Sequence, residues 1–264
     1  MKITDPKFQA SLKEPISAHG GQGAEDGTVS NRVKTLAKRW PGLYNFLKKT
    51  VGPSNSLGNH YNLKNRIQKL FGDKIDDKLI LNLGSGTYRI HPEIINVDLF
   101  AFKEVDIVAD ICDTPFKDGS VDGIICEDVL EHVAQAPKLF KEMSRILKPG
   151  GMIIIKTPFV YPYHSSPNDF FRWTDEGLKY ILKENNFSVK KSGITGGPMC
   201  TLQAILMHVF AMIFSFGSRS LYFILVQFFM VIFSPLKLLD PLFLLSPFAT
   251  DISSHIFVIA EKNM

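Results

Sequence analysis

Short apolar runs alternate with stretches of helical periodicity over residues 78–195. Runs rich in Val, Ile and Leu are typical of buried parallel strands. The predicted strands are residues 79–83, 94–97, 105–109, 121–126, 152–155, 187–194 and 255–260. Helices are predicted over residues 138–147 and directly after Thr174, a good N-terminal cap. This alternation predicts an α/β fold with a doubly wound, mostly parallel sheet of seven strands.

A long apolar segment interrupts this pattern before the last predicted strand. Residues 192–218 carry no formal charge, and none follows Arg219 until Lys237. Helices over 199–216 and 221–234 would be about 27 Å and about 21 Å long, against a hydrocarbon core of ~30 Å. We therefore predict a hydrophobic helical hairpin that inserts into one leaflet or lies at the membrane interface. A shallow two-pass hairpin is the second interpretation, and a buried core or dimer hairpin is the third.

The first 75 residues differ in composition from the rest of the chain. Residues 1–29 are polar and rich in glycine, which predicts a disordered tail. Residues 30–72 hold nine Lys and Arg and no Asp or Glu, and apolar spacing predicts basic amphipathic helices over 31–40, 41–51 and from Tyr61 to a stop at Gly72. Such a stretch favours an anionic partner. Beside a hydrophobic hairpin we expect lipid headgroups rather than nucleic acid, with a solvated helical face as the alternative.

Composition narrows the class of protein further. The chain has 264 residues, 45% hydrophobic and 21% charged, as in ordinary globular proteins. Its three cysteines are too few and too scattered for a disulfide framework or a zinc cluster, so we expect a reducing compartment and no metal. The N-terminus lacks an apolar run of signal-peptide length. Together with the hairpin, this predicts a location on the cytoplasmic side of a membrane.

Candidate binding residues stand where predicted strands end. Gly84 and Gly86 follow the first strand, where an open α/β sheet lets a ligand approach the backbone. The third glycine of the dinucleotide fingerprint is missing, which disfavours a nicotinamide or nucleotide-sugar oxidoreductase. Asp98 ends the second strand and is placed to accept hydrogen bonds from two ribose hydroxyls. Asp110 ends the third predicted strand and is placed to accept a hydrogen bond from an adenine amino group.

An ordered series of motifs carries a family resemblance. LNLGSG, INVD, VADI, TPFKDGSVDGIICEDVLEHV and KEMSRILKPGGMIIIKTP closely resemble the class I S-adenosylmethionine-dependent methyltransferases of the type 11 group. The resemblance covers residues 78–192 and the final strand, and it implies a Rossmann-like methyltransferase fold with S-adenosylmethionine as cofactor. Asn82 departs from the pattern, since many members have an acidic residue there, and the connection from Gly86 to Asp98 is short.

The resemblance also assigns roles to residues. The backbone at Gly84 and Gly86 would meet the methionine portion, and Asp98 would hold the ribose. The cofactor-binding set it implies is Asn82, Gly84, Gly86, Asp98, Asp110, Ile111 and Glu127, with Asp110 and Ile111 flanking the adenine and Glu127 near the sulfonium.

Residues 158–174 follow the fifth strand at the same sheet edge and are dense in polar and aromatic groups. They resemble a stretch of methyltransferases associated with envelope sugars and lipids. We predict His164 as general base, Asp169 as its orienter or a substrate acceptor, and Arg172 as an anion clamp. The alternative is that Asp169 and Arg172 pin the loop while His164 packs. His132, which follows Glu131 after the fourth strand, is interpreted as structural.

The predicted organisation is a tail (1–29), a basic helical segment (30–75), a methyltransferase core (76–195), a membrane-associating hairpin (196–251) and the last core strand (252–264). The predicted function is methyl transfer from S-adenosylmethionine to a lipid-linked or amphipathic acceptor, such as an envelope saccharide or an isoprenoid-type compound, at the membrane surface. The alternative is a non-catalytic scaffold of the same fold that docks an envelope biosynthesis complex. The oligomeric state stays open.

Overall fold

The computed structural model describes residues 6–13, 50–56, 61–164 and 168–264. Its centre is a seven-stranded sheet in the order β3-β2-β1-β4-β5-β7-β6, in which β7 alone runs antiparallel to its neighbours. The strands are β1 Ile80–Leu83, β2 Ile95–Asp98, β3 Ile107–Val108, β4 Val121–Glu127, β5 Leu147–Pro158, β6 Phe187–Gly196 and β7 His255–Lys262. This order confirms the predicted doubly wound α/β fold.

The helices of the described residues flank the sheet or form the inserted segment. They are α1 Pro6–Ala10, α2 Leu63–Phe71, α3 Ala136–Ile146, α4 Asp175–Glu184, α5 Pro198–Phe214, α6 Arg219–Phe233 and α7 Asp240–Phe243. Short 3₁₀ turns lie at Gly72–Asp77, Leu130–His132, Ser234–Leu239 and Pro247–Thr250. The Thr174 hydroxyl accepts a hydrogen bond from the Gly177 N–H and caps α4, as predicted.

Helix α2 belongs to the catalytic core rather than to a separate basic segment. Ile67 and Phe71 are buried against Ile80, Ile125 and Ile154 of the sheet. A Cβ on Gly123 would lie 2.5 Å from the Phe71 ring, so the ring packs directly on the backbone of β4. The predicted boundary at residue 75 is therefore wrong, because the apolar stripe of α2 covers the sheet. The helices predicted before residue 50 lie outside the described residues.

The N-terminal residues 6–13 also pack on the core. Phe8 and Leu12 are buried, and the Phe8 ring meets the edge of the Phe116 ring at 6.2 Å between centroids. Backbone hydrogen bonds join Lys13 N to Pro115 O (2.7 Å) and Lys117 N to Ser11 O (2.8 Å). The prediction of a disordered tail is wrong for these residues, because two apolar side chains outweigh the polar composition of the surrounding stretch. Residues 14–29 lie outside the described residues.

Helices α5 and α6 form the predicted hairpin within a residue or two of its predicted bounds. They pack on each other through Ala204, Met207, Ala211 and Val226. Many large apolar side chains on their outer faces are exposed, including Met212, Phe228 and Val231, and Phe216 in the turn between the helices is exposed as well. By length and composition alone, Arg219–Phe243 is long and apolar enough to cross a membrane, with mean hydropathy 1.9, and only 11% of its apolar window is buried.

Two buried charges fix the base of the hairpin to the core. Asp240 accepts hydrogen bonds from the Ser56 hydroxyl and from the Met199 N–H, the latter at 2.8 Å. The Lys237 ammonium donates to the Gly52 carbonyl oxygen at 2.7 Å. Neither side chain has solvent exposure. Because removing one partner of a buried charged contact is costly, residues 50–56 hold both ends of the hairpin beside the sheet.

The packing of the N-terminal residues can be tested with Phe8→Ala. We expect it to lower the free energy of unfolding by about 3–5 kcal/mol, because the substitution leaves a cavity beside Phe116. Urea denaturation of the full chain measures the loss, and Ala10→Ser, at an exposed position of the same short helix, is the control. Equal stability of Phe8→Ala and the native chain would show that residues 6–13 do not dock on the core.

Candidate functional site

The turn after β1 requires glycine at two positions. Gly84 and Gly86 have φ of 68° and 56°, in the left-handed region that glycine occupies without strain. A Cβ on Gly84 would lie 2.5 Å from Val129 Cγ2, whereas nothing lies within 4 Å of the position of a Cβ on Gly86. Gly84 therefore permits close packing of the β4 exit, and Gly86 leaves bare backbone facing open space. A ligand can approach this backbone closely.

Asp98, at the end of β2, stands beside that turn as predicted. Its Oδ2 accepts a hydrogen bond from Gly86 N at 2.8 Å, and its Oδ1 accepts one from Phe100 N at 3.0 Å. A carboxylate offers about four acceptor positions, so two remain for ligand hydroxyls. Ser85 Oγ is buried and has no hydrogen-bond partner among the described residues. These groups fit the methionine and ribose portions of S-adenosylmethionine.

The other predicted cofactor residues lie at the ends of neighbouring strands, with one exception. Asp110 follows β3, is exposed and accepts from Cys112 N at 2.8 Å, and Ile111 beside it is buried. Glu127 ends β4 and accepts from the Tyr61 hydroxyl. Asn82 instead donates to Asn96 Oδ1 at 3.0 Å and is buried between β1 and β2. The geometry therefore supports a structural role for Asn82 rather than a cofactor contact.

Arg172 is not available as an anion clamp. Both of its Nη atoms contact the Asp169 carboxylate, and its N–H groups also donate to the carbonyl oxygens of Tyr161 (3.2 Å), Pro162 (3.1 Å) and Phe171 (2.9 Å). All five donors of a guanidinium are thereby used inside the loop. The prediction of a substrate-binding Arg172 is wrong, because this side chain holds residues 161 and 162 to residues 169 and 171, as the alternative interpretation held.

His164 lies between two carboxylates. Its Nδ1 is 3.5 Å from Asp169 Oδ2 without a hydrogen bond, so the orienting role of Asp169 stays a prediction, and its Nε2 is 3.6 Å from Glu131 Oε1. Burial lowers the pKa of His164, but Glu131 and Asp169 outweigh burial and raise it above its usual value. The role of His164 as a general base stays a prediction.

Three further polar groups that the sequence reasoning did not select lie at this edge. Lys156, buried on β5, donates to Asp128 Oδ2 at 2.7 Å, and Asp128 has a left-handed φ of 56°. His255 begins β7 and packs against the Tyr161 ring at 5.0 Å. Burial lowers the pKa of His255 to about 3, so its imidazole is neutral at physiological pH. The signal in the sequence that could have identified Lys156 is a lysine within an otherwise apolar strand. In the sheet this lysine lies beside the CED motif at the end of β4.

Comparisons with known proteins agree with this architecture. Residues 87–155 match the family model described as a methyltransferase domain. An uncharacterised protein of Methanocaldococcus jannaschii is 30% identical over 130 residues, which are 49% of this chain and 48% of that protein. An uncharacterised methyltransferase of Mycolicibacterium gilvum is 49% identical over 41 residues, 16% of each chain. The chain thus spans about half, or less, of the length of these relatives.

A solved structure shows the same fold. The Haemonchus contortus phosphoethanolamine N-methyltransferase 2, in complex with phosphomonomethylethanolamine and S-adenosylhomocysteine, superposes with a TM-score of 0.50 at 20% identity, covering 77% of this chain and 53% of that one. The strand order and the glycine turn agree with the fold of class I S-adenosylmethionine-dependent methyltransferases, and the family match supports that class for residues 87–155. The matching family model is that of the type 11 methyltransferase domain.

The two glycines provide a matched pair of variants. Gly84→Ala and Gly86→Ala each place alanine in a left-handed conformation, which destabilises the folded state by about 1–2 kcal/mol. Only the alanine at position 84 also overlaps Val129, and this overpacking destabilises the folded state by about a further 1–3 kcal/mol. We expect a lower thermal midpoint for Gly84→Ala than for Gly86→Ala, partly restored by Val129→Ala in the same chain. Equal midpoints would show that Val129 does not pack against the turn.

Proposed function

We propose that this protein transfers a methyl group from S-adenosylmethionine to an amphipathic or lipid-linked acceptor at a membrane surface. One observation supports the use of S-adenosylmethionine as cofactor. The Gly86 N–H donates a hydrogen bond to Asp98, and this carboxylate keeps acceptor positions for ligand hydroxyls. In the transfer, the acceptor atom bonds to the methyl carbon while the sulfonium sulfur keeps the electron pair of the broken bond. The protein has to align the two molecules and exclude water.

The position of residues 158–174 supports an acceptor site next to the hairpin. The Tyr161 ring packs against the apolar cluster of α5 and α6 on one side. On the other side it meets the edges of the His164 and His255 rings at 5.4 Å and 5.0 Å. One side chain thus joins the hairpin to the polar loop. An acceptor with an apolar tail along the hairpin and a polar head near His164 fits this arrangement.

The hairpin supports membrane attachment through its exposed apolar surface. A soluble core helix is mostly buried, whereas α6 leaves Phe223, Ile224, Phe228 and Ile232 exposed, and α5 leaves Ile213 and Phe214 exposed. The buried Lys237 and Asp240 keep the base of the hairpin on the core. This arrangement favours shallow insertion of the hairpin tip over complete spanning, with the catalytic domain on the cytoplasmic side.

Binding of S-adenosylhomocysteine tests the cofactor. The full chain should bind it in calorimetry, and Asp98→Ala should weaken binding about 10- to 150-fold, equivalent to about 1.5–3 kcal/mol for hydrogen bonds to a charged group. Asp251→Ala, an exposed carboxylate on the hairpin connection, is the control. Circular dichroism confirms that each variant is folded. Failure of the folded native chain to bind would overturn the enzyme proposal in favour of the scaffold interpretation.

Sedimentation with phosphatidylcholine–phosphatidylglycerol vesicles tests attachment. We expect the full chain to pellet with vesicles even in high salt, because apolar burial at about 25 cal/mol per Å² exceeds screened headgroup contacts. Combining Ile213→Glu, Phe216→Glu and Phe228→Glu should release it. Tyr180→Glu, which alters an equally exposed aromatic residue on α4, should not. A native chain that stays in the supernatant would contradict membrane attachment, and hairpin-dependent dimers would assign the surface to a second copy.

A further inference from the structure

A carboxylate and two imidazoles converge beside the glycine turn. Glu131 and His132 come from the 3₁₀ turn Leu130–His132, which directly follows Val129, and His164 comes from the loop after β5. Glu131 Oε1 is 3.6 Å from His132 Nε2 and 3.6 Å from His164 Nε2. One ligand atom from each residue lies within 4.8 Å of the others. Three metal-ligating groups thus share one small volume.

The carboxylate at the centre of this cluster needs a positive partner. Glu131 has no solvent exposure, and its Oε1 accepts no hydrogen bond within the described part of the chain. Its other oxygen, Oε2, is 3.4 Å from the Thr157 hydroxyl, a long contact. A buried carboxylate without a cation or good donors is costly. The structure places Oε1 between two imidazole nitrogens, where a bound cation would satisfy it.

The second ring nitrogen of His132 is held from outside the cluster. His132 Nδ1 contacts the Asn168 carbonyl oxygen, and because that oxygen only accepts, this nitrogen carries the proton. The His132 Nε2 lone pair then faces Glu131. Histidines that bind metals in proteins are held by carbonyl or carboxylate oxygens in the same way. His164 is positioned through its backbone N–H, which donates to Asp169 Oδ2 at 2.9 Å, while its Nδ1 lies 3.5 Å from that oxygen and has no hydrogen-bond partner among the described residues.

We propose that Glu131, His132 and His164 bind a divalent first-row transition-metal ion. Metal–ligand bonds of about 2.0–2.2 Å place ligand atoms about 3.0–3.5 Å apart. The two 3.6 Å separations from Glu131 Oε1 require a contraction of a few tenths of an ångström, and the two histidine nitrogens, which lie within 4.8 Å of each other, have to approach further on binding. Two histidines and one carboxylate are a set that binds zinc or iron(II) and leaves coordination positions open. The expectation of no metal, which rested on the cysteines, is replaced by this proposal.

The inference deepens the proposed function by naming a class of acceptor group. The open positions lie on the accessible side, where the His164 side chain is 35% and the His132 side chain 15% exposed. A hydroxyl oxygen of the acceptor bound there has a lowered pKa. Its proton passes to solvent as the oxygen–methyl bond forms and the sulfur–methyl bond breaks. His164 is then a metal ligand, and it is no longer required as a base.

Metal titration tests the site without cofactor or acceptor. The full chain is stripped with a chelator and titrated with Co²⁺, whose visible absorption reports nitrogen and oxygen ligation, and with Zn²⁺ in calorimetry. We expect one equivalent to bind. His132→Ala, His164→Ala and Glu131→Gln should each weaken binding at least as much as loss of an outer-sphere partner does, about 10- to 100-fold. His91→Ala, a histidine elsewhere in the fold, should leave it unchanged.

Thermal melting without metal shows whether each variant is folded. His164 lies on a partly exposed loop, so His164→Ala decides the question if Glu131→Gln does not fold. A folded native chain that binds neither ion would overturn the proposal. Binding unaffected by His164→Ala would also overturn it, by placing the metal elsewhere. Because the titration omits S-adenosylhomocysteine, its failure is distinct from failure of the cofactor-binding experiment.

Discussion

The contact between Gly84 and Val129 is the constraint on which the rest of the site depends. It brings the exit of β4 against the exit of β1, with no room for a Cβ between them. Gly86 then faces open space and donates to Asp98, which fixes the cofactor edge. The same contact sets the start of the turn Leu130–His132, so Glu131 and His132 lie next to the cofactor edge rather than further along the surface. The close packing of the Val129 side chain on the Gly84 backbone therefore positions both halves of the site.

The hairpin is tied to this arrangement by polar contacts at its base and apolar contacts at Tyr161. Lys237 and Asp240 are buried charges that an apolar insertion would not tolerate without partners, and residues 50–56 together with the start of α5 provide those partners. The outer faces of α5 and α6 have no comparable partners among the described residues and expose large apolar side chains. The hairpin thus combines a base that is firmly attached to the core with an apolar tip, the arrangement on which the proposed membrane attachment rests.

Buried charge organises the loop that closes the site. Asp169 and Arg172 satisfy each other and the surrounding carbonyl groups, which orders the loop and brings His164 to Glu131. The Arg172 guanidinium, with every donor used inside the protein, is a positioning element, whereas the buried Glu131 carboxylate has one oxygen without a hydrogen-bond partner among the described residues. The electrostatics of this region therefore centre on Glu131, a residue whose neighbours come from two separate segments of the chain.

The sequence by itself determined the sheet, the glycine turn, the Thr174 cap and the hairpin, because each follows from local patterns: runs of Val, Ile and Leu, glycine after a strand, a capping hydroxyl, and the absence of charge over long apolar helices. It also placed Asp98 and Asp110 at strand ends, since strand order along the chain sets which ends share an edge.

Tertiary structure alone decided the docking of Phe8 and of α2, the pairing of Asn82 with Asn96, the use of every Arg172 donor, and the meeting of Glu131, His132 and His164. These depend on contacts between residues distant in sequence, and composition and periodicity carry no information about which distant groups meet.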